Sequence, residues 1–261
     1  MGTSAGGTKG TRMADQGLIL AAGHGSRLRP ITLHTPKPLV PFFGAPLIAY
    51  AAAQLVSQGV SRIAVNTHHL AEAVAHYVRT ELTALYPQVE WHLSHEPELL
   101  GTGGALKNLE DWFDPGDLWV VNADAVFSAD LSMMARAHSA RGAQGTWMVT
   151  RAEHARLLRV VERDGDGYVQ SIAPNAQEGA AVFCGVHLTS TELLARLPSG
   201  VSCVVRDGYI PWVSDGARVY GWETEAFWAD TGTPERVVDA HLRGRSELPA
   251  FRALGVYQAA R

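Results

Sequence analysis

Cysteine is nearly missing: Cys184 and Cys203 are the two in 261 residues. That excludes a disulfide framework and fits a reducing cytoplasm. Long apolar runs are missing too, so neither a membrane span nor a signal peptide is expected. Positive charge is not in excess. Lys and Arg total 22 against 26 Asp and Glu, for a net charge of −4. No basic stripe is present, so nucleic acid is not an expected partner. Affinity for an anion must come from local cations, helix ends and metal. Several catalytic signatures are absent as well. There is no Walker A run, no Gly-x-Ser-x-Gly elbow, no Ser-His-Asp pattern and no internal repeat. Gly23-x-Gly25 is followed by Leu28 rather than Gly, so it is not a dinucleotide fingerprint. His68 and His69 are adjacent, with no third ligand at a suitable spacing, and are expected to be surface histidines. The seven Trp are dispersed and read as mostly core.

What is present is concentrated between residues 20 and 41. The apolar run Gly17–Ala22 predicts a strand that feeds a turn built on Gly23 and Gly25. Arg27, Arg29 and Lys37 follow. Glycine lets backbone N–H groups approach a bound group, and Arg and Lys add phosphate-matching charge. Pro36 and Pro38 fix the backbone on both sides of Lys37, which limits the entropy lost in positioning its ammonium. The stretch reads as a loop that wraps a polyphosphate, with Leu20, Ala21, Ala22, Gly23, His24, Gly25, Ser26 and Arg27 as its nucleotide-binding residues.

Apolar runs then alternate with helical patterns up to residue 151. Strands are predicted at 62–66, 89–93, 117–121 and 145–151, and helices at 46–58, 70–85, 102–112 and 129–141. The alternation predicts an α/β fold: one domain with a doubly wound, mostly parallel sheet. A hairpin is expected over 157–172 around Asp164-Gly165-Asp166-Gly167, then a strand at 180–188. A short helix at 191–196, an interrupted helix at 204–213 and a strand at 217–222 follow. A closing helix at 234–243 has Thr233 as its cap. Residues 1–14 read as a disordered leader or tag, 15–243 as the domain and 244–261 as a tail. Within the domain, 15–151 would bind nucleotide, and 152–243 would form a smaller sugar-binding half.

Two carboxylates stand at strand ends. Asp124 closes Val120-Val121-Asn122-Ala123-Asp124, and Asp230 lies in Trp228-Ala229-Asp230-Thr231-Gly232-Thr233-Pro234. Such ends line the ligand crevice of parallel sheets, although a lone Asp there also serves as a turn cap. A third cluster, His95 to Leu106, holds Gly101, Gly103 and Gly104 around Thr102, which would let a planar ring or a phosphate lie on bare backbone.

Gly23-His24-Gly25-Ser26-Arg27-Leu28-Arg29-Pro30 and Pro36-Lys37-Pro38-Leu39 resemble the signature of the sugar-1-phosphate nucleotidyltransferases. These enzymes join a nucleoside triphosphate to a sugar 1-phosphate and release diphosphate. The look is nearest to the mannose- or heptose-1-phosphate guanylyltransferases and the N-acetylmuramate-1-phosphate uridylyltransferases. The resemblance implies Mg²⁺ held by Asp124 and Asp230, catalytic roles for Arg27 and Lys37, and Asn122 in the nucleotide site. It also implies base and ribose contacts from Glu96, Gly101, Thr102 and Gly103. A carboxylate at Glu96 accepts equally from guanine or uracil N–H groups, so GTP and UTP both stay open as partners. Gly185 in Val182-Phe183-Cys184-Gly185 resembles the family's sugar-side glycine. The family's Glu-Lys-Pro reads Ile172-Ala173-Pro174-Asn175 here, which leaves Glu162 and Asn175 as candidates for sugar hydroxyls. A non-catalytic NDP-sugar-binding regulator could share the fold, but retention of Lys37 and both Asp favours the enzyme. Homo-oligomerisation stays open.

Overall fold

The computed structural model describes residues 14–151, 160–173 and 180–256. The expected leader up to residue 13, the first residues of the expected hairpin and Asn175 lie outside them. Thirteen strands are formed in the described residues: β1 Gln16–Leu20, β2 Pro41–Phe42, β3 Ala45–Pro46, β4 Arg62–Thr67, β5 Glu90–His95, β6 Asp117–Asn122, β7 Ala125–Phe127, β8 Gly145–Thr150, β9 Val160–Arg163, β10 Val169–Ala173, β11 Val182–Ser190, β12 Val219–Glu223 and β13 Trp228–Asp230. Nine of them make one sheet, in the order β10-β9-β11-β6-β1-β4-β5, with β8 on β11 and β12 on β8.

The run β6-β1-β4-β5 is parallel, as the alternation predicts. Strands β6, β1 and β4 are largely apolar on both faces because helices cover both, whereas the edge strand β5, Glu90–His95, is mostly polar and partly exposed. Ile19, Val65 and Val121 join one core with helix Leu47–Ser57, whereas Leu18, Ala64 and Val120 join the other with helix Gly101–Asn108. The continuation differs from a simple doubly wound order. Strand β8 does not join β6. Strand β11 inserts between them, antiparallel to both. A strand buried on both faces has the same apolar pattern whichever way it runs, so its direction is not visible in that pattern.

Two further differences concern helices. The expected helix over 70–85 divides into Ala71–Tyr77, a π-turn at Val78–Leu82 and a last turn at Thr83–Leu85. The segment after residue 243 is not a loose tail up to residue 256. It forms helix Leu248–Ala253 and buries Phe251 completely against Phe42, Tyr50 and Phe227. The closing helix Pro234–Arg243 matches its expected bounds, with the Thr233 hydroxyl accepting the Arg236 N–H at 3.3 Å. Among the described residues no helix is long and apolar enough to cross a membrane.

Candidate active site

A cleft of about 450 Å³ opens where β1 and β6 end. Its walls include Leu20 through Arg27, Lys37, Gly101, Thr102, Asn122 and Asp124, all singled out in the sequence. Pro38, Asn66, Leu99, Ala123 and Gly232 line it as well.

The loop after β1 is fixed at both ends. The Ala123 N–H donates to the Leu20 carbonyl at 3.0 Å, and the Ala21 N–H donates to Asn66 Oδ1 at 2.7 Å. Gly25 is left-handed, with φ +61°. A Cβ there would lie 2.8 Å from Thr32 Cγ2 and 3.1 Å from Lys37 Cβ, so only glycine lets this loop fold onto the lysine segment. The Gly25 carbonyl accepts from the Leu28 N–H and the Thr32 hydroxyl, both at 2.8 Å. Among the described residues, no acceptor on the protein takes the N–H of Gly23, His24, Gly25 or Ser26. Four free donors beside the exposed Arg27 make a site for an anion.

Lys37 begins a short 3-10 turn between its two prolines and is ion-paired with Asp124. Asp230 reaches the same place from far along the chain. Strands β13 and β7 pair antiparallel, which sets Asp230 opposite Ala125, the residue after Asp124. The Thr231 hydroxyl and N–H both donate to the Asp124 carbonyl, at 3.0 and 3.3 Å. The Trp228 indole N–H anchors β13 by donating to the Cys184 carbonyl at 2.9 Å. Arg236 grips Asp230 Oδ2 at 2.5 Å. Asp230 Oδ1 is buried and has no hydrogen-bond partner among the described residues. A Cβ on Gly232 would lie 2.7 Å from that oxygen and 3.0 Å from Arg27 Nη2, so glycine is what leaves room there for both side chains.

A buried carboxylate oxygen without a donor is costly unless a cation meets it. Its hard-oxygen character fits Mg²⁺, which takes one or two carboxylates and completes its shell with phosphate oxygens and water. Among the described residues no group of three or more His, Cys, Asp or Glu could hold a metal by itself. Among the described residues the carboxylates brought together here are Asp124 and Asp230, without a closed cage.

Glu96 does not stand where a base would meet it. It is 1% exposed, accepting from Asn66 Nδ2 at 2.7 Å and from the Leu100 N–H at 2.9 Å. Both of its oxygens are thus engaged, and it works with Asn66 to tie the loop after β5 to the loop after β1. Nor do the glycines of 101–104 all lie bare to the cleft. Cβ atoms on Gly103 and Gly104 would lie 2.6 Å from Ser202 Oγ and 2.3 Å from the Gly200 carbonyl oxygen. Those two, with Gly101, whose Cβ would lie 2.5 Å from the Ser202 carbonyl oxygen, let the helix start dock on segment 200–204; Gly101 and Thr102 also line the cleft. Asn66 was missed, yet a polar amide ending an otherwise apolar strand was a usable signal. His68 and His69 are half-buried, not free surface residues. They hold the Glu96 and Thr32 carbonyls, each at 2.8 Å, and the His24 ring lies 5.0 and 5.8 Å from theirs.

The sugar-side candidates separate. Gly185 adopts φ +75°, and a Cβ there would lie 2.7 Å from Asn122 Nδ2. It makes room for the Asn122 side chain at the cleft. Glu162 is exposed on β9, accepts from the Ser171 hydroxyl, and is not among the residues lining the cleft.

The nucleotidyl transferase family model matches residues 16–247. The mannose-1-phosphate guanylyltransferase catalytic subunit beta of Danio rerio is 30% identical over 225 residues, covering 84% of this chain and 61% of that protein. The mannose-1-phosphate guanylyltransferase of Mycobacterium tuberculosis is 27% identical over 242 residues, covering 90% and 67%. The chain spans about three-fifths of the length of the beta subunits it matches. HddC from Yersinia pseudotuberculosis, solved alone and with GMP-PN, has a TM-score of 0.75 at 23% identity, covering 87% of this chain and 98% of its own. The inositol-1-phosphate CTP transferase of T. maritima has a TM-score of 0.75 at 17% identity, covering 89% and 97%. The solved structures share this fold, and by its family match over most of its length this chain belongs to the nucleotidyl transferase family.

Proposed function

We propose that the chain transfers a nucleotidyl group from a nucleoside triphosphate to a sugar 1-phosphate, releasing diphosphate. GTP and mannose 1-phosphate, or a similar aldose 1-phosphate, are the first substrates to try, because the matched relatives carry those names. The carrying observation is the convergence of Lys37, Asp124 and Asp230 beside a loop with four unpaired N–H groups. Residue roles follow from charge and place. The Gly23–Ser26 amides and Arg27 hold the β- and γ-phosphates that leave as diphosphate. Lys37 meets the α-phosphate and offsets the charge that grows there. Asn122, set by Gly185, faces the nucleotide, while Gly101 and Thr102 form the wall across from the loop. A sugar phosphate is already a nucleophile, so no general base and no covalent intermediate is needed; positioning and neutralisation suffice.

Asp124 and Asp230 would hold Mg²⁺, which supplies charge neutralisation between two phosphorylated substrates. The free thiols of Cys184 and Cys203 support a cytoplasmic setting. Diphosphate release across the four common nucleoside triphosphates, each with a panel of sugar 1-phosphates, tests the reading. Release that needs both substrates supports it. NDP-sugar binding without turnover on any pair would favour a regulator on the same fold.

A further inference from the structure

Asp230 is gripped on one oxygen only. Arg236 comes from the first turn of helix Pro234–Arg243, whose Thr233 cap fixes that turn, and it reaches back to Oδ2 at 2.5 Å. Oδ1 stays buried and unpartnered among the described residues, on the side of Gly232 and Arg27. The neighbouring carboxylate, Asp124, is paired with Lys37 in the same way. Each carboxylate thus has one ion-paired cation, and Arg27 stands by Gly232 on the open side of Asp230. The ion pairs are mostly sheltered, with side-chain exposures of 12% and 32% for Lys37 and Asp124, and 25% and 21% for Arg236 and Asp230. Screening by solvent is correspondingly limited, so the positive charge of Arg236 weighs against a second cation nearby.

We infer that Arg236 is a positioning residue that sets how the divalent ion enters. It confines Asp230 to a single donor oxygen, and with Lys37 it cancels the charge of the pair. A bare ion is then bound weakly, and the ion arrives together with the nucleoside triphosphate, whose phosphates supply the missing negative charge and ligands. The inference rests on Asp124 and Asp230 being the metal pair of the proposed reaction.

The test is titration of Mn²⁺, an EPR-visible hard cation, into the full-length protein without nucleotide. Wild type, R236Q, R236K and R236Q/D230N are compared. R236Q is expected to bind bare Mn²⁺ at least about tenfold more tightly than wild type, because a nearby positive charge is gone. R236K should stay close to wild type, and R236Q/D230N should lose the gain. A melting curve checks each variant, and R236M replaces R236Q if the latter does not fold. R236Q or R236M binding Mn²⁺ no more tightly than wild type overturns the inference. So does wild type binding bare Mn²⁺ as tightly as R236Q. A separate arm compares wild type with D124N/D230N for binding of Mn²⁺ with a non-hydrolysable GTP analogue. Equal binding there would remove the metal pair itself. Loss there, with no gain in R236Q, would remove only the role of Arg236.

Discussion

Lys37→Ala leaves Asp124 without its cation and the reacting phosphate without a counter-charge. Asp230→Asn weakens the buried donor beside Arg27. Each is expected to lower kcat by at least about a hundredfold, the usual loss when a transition-state charge partner goes. Steady-state diphosphate release checks this, and near-normal turnover in either variant would withdraw that residue's role. Asn66→Ala acts differently. It frees the Ala21 N–H and strips one partner from the buried Glu96. An expected stability loss of about 1–3 kcal/mol follows from two orphaned groups, readable by denaturant unfolding. That Leu20–Arg27 and Lys37 share one cleft was legible because charge and glycine sat in a short run, whereas Asp124 and Asp230 were singled out by their strand ends and by the family resemblance. Glu96 was legible as important but not in its role. Sequence shows a carboxylate, and only packing shows that Asn66 and the Leu100 N–H already occupy it.

At the scale of elements, the site depends on two three-residue strands. The β7–β13 pair brings Asp230 beside Asp124, and neither strand is long enough to show a two-residue period. The strand end at Asp230 was anticipated as part of the parallel sheet, but its antiparallel pairing with β7 in a separate two-stranded sheet is a long-range contact that no local pattern records. Strands β1, β4 and β6 were legible because each is a run buried on two faces. The docking of helix Gly101–Asn108 on segment 200–204 was not, since its glycines read equally as a ligand platform. Gly103→Ala tests the docking. Its Cβ would meet the Val204 N at 3.0 Å as well as Ser202 Oγ. Overpacking there should cost about 1–3 kcal/mol and raise KM for the triphosphate by displacing Thr102. Unfolding and initial-rate measurements read the two effects, and an unchanged melting point would show that the contact gives way freely.

The whole molecule carries a pH dependence located away from the cleft. His187 is fully buried on β11, 2.7 Å from the Tyr209 hydroxyl, and burial pushes its pKa down from 6.5 to about 3. Between those values the unfolded chain takes up a proton that the native state refuses. The contribution of His187 to stability is therefore complete above about pH 6.5 and drains away as pH falls toward 3. The melting temperature should drop across that window, and less steeply in H187Q; parallel curves for the two would contradict it. The α/β class and the parallel run of β1, β4, β5 and β6 were legible from alternation. The insertion of β11 and the packing of Phe251 were not, because both are set by partners distant in sequence.

The central claim is that segments around Gly25, Lys37, Asp124 and Asp230 form one site for nucleotidyl transfer. Incubating the protein with GTP, mannose 1-phosphate and Mg²⁺, and quantifying both products by mass spectrometry, tests it most directly. The account predicts NDP-sugar and diphosphate in equal amounts, both lost in Lys37→Ala. Diphosphate without NDP-sugar, or neither product from any nucleoside triphosphate and sugar 1-phosphate tried, would contradict it.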